Sequence, residues 1–162
     1  GFSLRRLLEL AEPTKEARYV KFTTAMIPRQ MPGIARLPQY PWPYTEGLRI
    51  AEAMHSLTFV ATGMYGKPLL KQNGAPIRLV VPWKYGYKSI KSIVKIEFVR
   101  KQPKTLWNTL SAVEYPFESN VDPAKPHPRW SQASEEMKGM NGLRVRTLKY
   151  NGYRDVAGLY RR

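Results

Sequence analysis

The chain of 162 residues has no cysteine. It can therefore form no disulfide and offers no thiolate to a metal. Histidine is almost as scarce: His55 and His127 are the only two, and they are too far apart in sequence for a metal-binding spacing. No three or four residues of the chain stand out as a metal site. The 12 Asp and Glu are scattered, so no carboxylate pair points to glycoside chemistry. The chain has no G-x-S-x-G, no H-E-x-x-H and no P-loop. No apolar run reaches the length of a membrane span, and no signal-peptide pattern is visible. If the chain takes part in an enzyme, the difficult chemistry belongs to a cofactor.

What is present argues for a folded protein. The hydrophobic fraction is 43%, with four Trp, ten Tyr and five Phe, enough for one domain over residues 1–162 with a real core. Fourteen prolines predict extended segments and fixed loops rather than a helix bundle. The chain opens Gly1-Phe2-Ser3-Leu4, with no initiator Met and directly in a helical pattern. That start reads as internal, so a piece of a longer protein is expected, with any targeting segment upstream. The net charge is +15. Ten of the basic residues lie between Lys67 and Lys104, opposed only by Glu97. Such a cluster suits a polyanion, a membrane surface or an anionic cofactor, or it is a solvated basic face.

Apolar periodicity predicts a helix over 3–12, with Ser3 as N-cap and Pro13 as stop. Alternation predicts strands over 17–25, 57–64 and 92–99, and Ile93, Lys95 and Glu97 oppose Val94, Ile96 and Phe98 in the last. The stretch 77–81, apolar except for Arg78, reads as a strand covered on both faces. A turn at 65–68 leads into a short strand, and a last strand is expected over 143–150. Short helical turns are expected at 50–55 and 105–110. Residues 26–44 and 114–129 are long Pro-rich connections. The sum is a β-rich α+β domain with a mixed sheet.

The segment Gln72 to Lys91 joins a polar turn, an apolar strand and a basic loop. Gly86 lets backbone approach a ligand, the following residues offer N–H donors, and Lys84, Lys88 and Lys91 surround them. The alternative is a basic surface hairpin. Asn73-Gly74 is a turn signal, or an amide for a polar heterocycle. Arg78 interrupts an apolar strand, so it needs a partner: a phosphate, or an internal carboxylate. His55 reads as a packed or surface histidine.

The same residues resemble the sulfite oxidase family of molybdopterin enzymes. Leu7 to Thr14, Gln30 to Gly33, Tyr44 to Arg49, Glu52 to His55, Gln72 to Lys91, Asn120 to Pro123, His127 to Ala133 and Tyr150 to Tyr153 occur in that family's order. The resemblance covers nearly the whole chain. It implies a sulfite-oxidase-type molybdopterin-binding fold, incomplete at its N-terminus. It implies a molybdenum-molybdopterin cofactor held by Thr24, Asn73, Arg78, Ser89, Ile90 and Lys91. The family's Mo-ligating cysteine would lie upstream of Gly1. Implied chemistry is oxygen-atom transfer that reduces methionine sulfoxide in proteins, with sulfite oxidation as the alternative. Implied partners are a haem-containing membrane electron donor and oxidised periplasmic proteins, which places the chain in the periplasm. Trp130, in the His127-Pro-Arg-Trp-Ser-Gln segment, serves as a packing anchor or as part of the site. Two other classes remain: a fragment without cofactor, and a basic nucleic-acid-binding module. The second is disfavoured because the aromatics are mostly spaced as strand-core residues and no RNP-like motif is present, so nucleic acid is not an expected partner.

Overall fold

The alternation at 17–25 becomes the central strand of a sheet in the computed structural model, which describes residues 1–161. Strand β2 (Tyr19–Thr24) pairs on one side with β3 (Thr45–Arg49) and on the other with β8 (Ile93–Val99). Val20 and Phe22 are fully buried, and their neighbours Lys21 and Thr23 face away, as a pleated strand requires. A second sheet is ordered β1 (Phe2–Ser3), β4 (Phe59–Ala61), β7 (Arg78–Val80). Two small hairpins join β5 (Gly63–Met64) to β6 (Lys67–Pro68) and β9 (Ser134–Glu136) to β10 (Arg144–Arg146).

The helices are short: α1 (Leu4–Leu10), α2 (Pro32–Arg36), α3 (Ile50–Ala53) and α4 (Leu106–Leu110). The α+β class is as expected. The expected mixed sheet is corrected: every pairing among the described residues is antiparallel. Each central strand instead has neighbours that run opposite to it: β3 and β8 on either side of β2, and β1 and β7 on either side of β4.

Leu4 and Leu8 of α1, Val60, Leu79, Val81, Trp83, Ile90 and Val156 join Val20, Phe22 and Leu48 in one core shared by both sheets. Ser3 does stand at the N-cap position of α1, but its side chain makes no cap bond because the residue is paired to Phe59. Strand β7 is the edge of its sheet rather than a doubly covered strand; Leu79 is buried while Arg78 and Val80 are half-buried. The last predicted strand shrinks to Arg144–Arg146, and Lys149–Gly152 turns as a 3-10 helix.

Strand β8 departs from its own alternation. Thr23 pairs with Lys95 but Thr24 pairs with Ile93, so Val94 is the extra residue of a bulge. The bulge rotates Ile93 inward and leaves Val94 61% exposed. It also re-aims the backbone that runs into Lys91.

Two buried ion pairs tie the segment after β7 to the rest. Lys84 Nζ lies 2.7 Å from Glu52 Oε1, and Lys88 Nζ lies 2.6 Å from Glu46 Oε2, all four side chains at most 1% exposed. Burial alone would raise the Glu52 carboxyl, but the Lys84 ammonium and further donors outweigh it and hold it below the usual range. For Glu46 burial wins over Lys88, and its carboxyl is raised.

A group with a depressed carboxylate pKa contributes stability above its unfolded pKa and loses it as pH falls through the folded one. Glu52→Gln is therefore expected to lower the urea midpoint at neutral pH and to flatten its decline below about pH 4.5. Lys84→Met, which strands the Glu52 charge, is expected to cost about 3–5 kcal/mol at pH 7. Urea titrations of the variants across pH check both; an acid limb unchanged by Glu52→Gln contradicts the assignment.

Candidate functional site

The site is built where the bulged end of β8 meets the turn before β7. Thr24 closes β2, and its Oγ1 donates to the Lys91 carbonyl at 2.8 Å. Lys91 Nζ donates to the Gln72 carbonyl at 2.8 Å. Gln72 belongs to a single 3-10 turn, Lys71–Asn73, that ends at Gly74. Gly74 has φ 109°, a conformation that favours glycine. A Cβ there would sit 3.0 Å from side-chain atoms of both Arg78 and Lys91. The turn thus rests directly on the two cations, and the Ser92 amide donates to the Gly74 carbonyl at 3.0 Å to fix it.

Arg78 Nη2 donates to the Ser89 carbonyl at 3.3 Å. The Ser89 hydroxyl accepts from the Val81 amide at 3.1 Å, and the Leu79 amide donates to the Ile90 carbonyl at 2.9 Å. Ser89, Ile90 and Lys91 are therefore held against β7 through their carbonyls and the Ser89 oxygen. The amides of Ile90 and Lys91 make no hydrogen bond among the described residues. Thr24, Ser89, Ile90 and Lys91 line a cavity of about 460 Å³ together with Lys71. Its other wall comes from the Pro-rich 26–44 segment and α4: Met31, Ile34, Trp42 and Trp107. Asn73 and Arg78 stand behind the lining rather than in it.

The alternatives left open by the sequence separate here. Arg78 has no carboxylate partner among the described residues, so the internal ion pair is not realised. Lys91 likewise holds only a carbonyl. Lys84 and Lys88 do not surround the loop amides as expected. Their ammonium groups turn into the core, because Glu46 and Glu52 are buried there and each needs a cation. The amides of Lys88 and Ser89 are consumed in the turn itself. Gly86 is exposed, its φ is not positive, and a Cβ would meet nothing within 4 Å. The glycine that the geometry requires is Gly74.

His55 packs edge-on to Trp83, with ring centroids 5.5 Å apart, and its Nδ1 accepts from the Leu57 amide. It is a packing residue. Trp130 is not a core anchor, being 51% exposed. It stacks at 3.7 Å on His127, which is buried. His127 Nδ1 accepts from the Arg129 amide at 3.2 Å, and Arg129 Nη2 reaches Glu114 at 2.7 Å. Glu114, His127 and Trp130 line a second cavity of about 1110 Å³ that shares Gly86 and Tyr87 with the first. Tyr44, in the first cavity, donates its hydroxyl to the Tyr87 carbonyl at 2.7 Å. Burial, then the Glu46 carboxylate, raises its phenol above the ordinary value. Among the described residues no three His, Cys, Asp or Glu gather as a metal would need, and no helix is long and apolar enough to cross a membrane.

Residues 1–107 match the family described as oxidoreductase molybdopterin binding domain. The chain is 57% identical to the protein-methionine-sulfoxide reductase catalytic subunit MsrP of Campylobacter jejuni, over 99% of this chain and 54% of that protein. It is 56% identical to the protein of the same description from Xanthomonas axonopodis pv. citri, over 99% of this chain and 51% of that one. The chain thus spans about half the length of these relatives. The sulfane dehydrogenase SoxCD of Paracoccus pantotrophus matches with a TM-score of 0.52 at 18% identity, over 90% of this chain and 28% of that chain, a likeness of fold.

The tight seat of Gly74 makes a prediction. Gly74→Ala puts a side chain at positive φ and against Arg78 and Lys91. It is expected to cost about 1–3 kcal/mol, read as a lowered thermal midpoint. An unchanged midpoint contradicts the close seat of the turn.

Proposed function

The chain belongs to the oxidoreductase molybdopterin binding domain family, and from that premise we propose that it forms the pterin-phosphate grip of a molybdenum enzyme that reduces methionine sulfoxide in proteins. The observation that carries the grip is the convergence of Thr24, Lys91, the Gln72–Gly74 turn and Arg78. Two cations without carboxylate partners and two unspent amides meet beside a cavity. That donor set fits a phosphate. Lys91 and the amides of Ile90 and Lys91 bind it. Arg78, which braces Ser89, adds a second charge. Asn73 stands behind the lining, and its side-chain amide, which makes no hydrogen bond among the described residues, is available to a pterin edge that reaches the turn. Thr24 orients the loop through the Lys91 carbonyl and presents its hydroxyl at the cavity.

When bound, the cofactor supplies oxygen-atom transfer: the sulfoxide loses its oxygen and, with two electrons and two protons, a thioether and water result. The chain's own part is to bind, orient and shield. Met31, Ile34, Trp42 and Trp107 exclude water from one side of the cavity. The thiolate ligand of the metal belongs to a cysteine outside these 162 residues. The names of the relatives support protein-bound methionine sulfoxide as substrate and favour reduction over sulfite oxidation. Repair of oxidised proteins in the periplasm, with a haem-bearing membrane donor delivering electrons, completes the proposal. A net charge of +15 suits docking to such a donor or its membrane.

Arg78→Ala and Lys91→Ala in the full-length protein are each expected to lower bound molybdopterin about 10- to 100-fold at limiting cofactor, the loss of one charge-assisted bond. Pterin fluorescence after oxidative release measures it. Full occupancy in both variants removes the grip from this loop. Assays with dimethyl sulfoxide and with sulfite on the loaded protein separate reduction from oxidation.

A further inference from the structure

The second cavity is not used by the grip. Tyr87, Tyr115, Phe117, His127, Trp130 and Tyr150 give it aromatic walls. Its volume, about 1110 Å³, is too large for one side chain, and it meets the first cavity at the wall formed by Gly86 and Tyr87. Its charge balance is unlike the rest of the chain. Arg49, Lys125 and Lys149 line it together with Glu114, Glu118 and Asp122. Arg49 pairs with Glu118 and Lys149 with Asp122, both at 3.5 Å, and Glu114 takes Arg129 at 2.7 Å. A chain of net charge +15 thus keeps one large cavity close to neutral. That disfavours a polyanion there, since polyanion binding rests on uncompensated cations.

Trp130 is the feature that asks for a ligand. Half of it is open to solvent, yet it is held flat on His127, with interplanar angle 10°, and the Arg129 guanidinium lies 4.8 Å from its centroid. An exposed indole already fixed in place loses little freedom on binding, which is how aromatic anchors gain affinity. Aromatic faces with amide and hydroxyl neighbours suit a polypeptide main chain and its side chains.

We propose that this second cavity binds the polypeptide segment that flanks the oxidised methionine, with Trp130 as its anchor. The inference rests on the proposed reductase reading, and it makes Trp130 a specificity residue for protein-bound over free sulfoxide.

The test uses the full-length, cofactor-loaded protein. Fluorescence anisotropy follows a labelled unstructured peptide bearing one methionine sulfoxide, and turnover is measured with that peptide and with dimethyl sulfoxide. Trp130→Ala is expected to raise the peptide Kd and KM about tenfold or more, with the dimethyl sulfoxide KM within about twofold of wild type. Trp130→Phe, which can still stack on His127, is expected to restore most of the affinity. Unchanged peptide affinity in Trp130→Ala, or an equal rise in KM for both substrates, overturns the proposal. Wild-type protein needs no variant for a second check: an anionic polysaccharide is expected not to displace the peptide, and displacement by it overturns the assignment to a neutral polypeptide. If the loaded protein reduces neither sulfoxide, the reductase reading fails, and anisotropy still decides the groove.

Discussion

The buried contact between Lys84 and Glu52 is the constraint on which the site depends. Lys84 Nζ satisfies all three of its donors, on Glu52 Oε1 at 2.7 Å, the Glu118 carbonyl at 2.7 Å and Asn120 Oδ1 at 2.8 Å. Glu52 Oε1 also accepts from Tyr160, whose hydroxyl accepts from the Trp83 indole. Lys84 and Glu52 together therefore tie helix α3, the 114–129 connection and Tyr160 to one another. Burial lowers Lys84 to about 8 even with Glu52 beside it, so the pair is not a cheap source of stability. A well-packed apolar replacement is often as stable as a buried ion pair. What such a replacement lacks is direction. The ammonium accepts only one arrangement of three acceptors, and that fixes where the loop after β7 begins.

The second peg, Lys88, acts four residues later. Its ammonium reaches Glu46 at 2.6 Å and the Gly47 carbonyl at 2.8 Å, on strand β3. Between the two pegs the chain makes one 3-10 turn, Gly86–Lys88. After the second peg, Ser89 to Lys91 must run along β7, where Arg78 and Leu79 receive them. The loop is thus positioned by lysines that cannot touch an anion in the cavity, and Lys91 is released to do so. Surface pairs matter far less. Lys95 with Glu97 at 2.7 Å is solvent-exposed on the lysine side and belongs to a class worth about 0–1 kcal/mol.

Much of this was legible in the sequence, and the limits have physical causes. Helix α1, strand β2 and the short helices α3 and α4 follow from apolar period and turn chemistry, which are local. Strand β3, Thr-Glu-Gly-Leu-Arg, escaped because a glycine and two charges hide its register; Glu46 and Leu48 are both buried, and Glu46 is stable there only through Lys88. The inward flip of Ile93 depends on a bulge that alternation cannot show. Thr24, Ser89, Ile90 and Lys91 do share one cavity, while the roles given to Lys84, Lys88 and Gly86 were misplaced. Counting ten cations against Glu97 treats charge as local in sequence, yet the neutralising acids lie on β3 and α3, about thirty to forty residues earlier.

The wall between the two cavities links these points. Tyr87 is held from both sides: its carbonyl accepts from Tyr44 at the first cavity, and its hydroxyl bonds Ser119 at the second. Burial raises both phenols above their ordinary range, so neither ionises at neutral pH and each stays a donor. Lys88 fixes the backbone directly beneath. Loosening either lysine peg thus moves three things together: the wall, the Ser89–Lys91 amides on one side, and the Tyr87 ring against Tyr115 on the other. A loop held only by its ligand would order one cavity when filled and leave the other slack. This one is ordered by ion pairs in the core, so both cavities keep their shape whether or not either is filled.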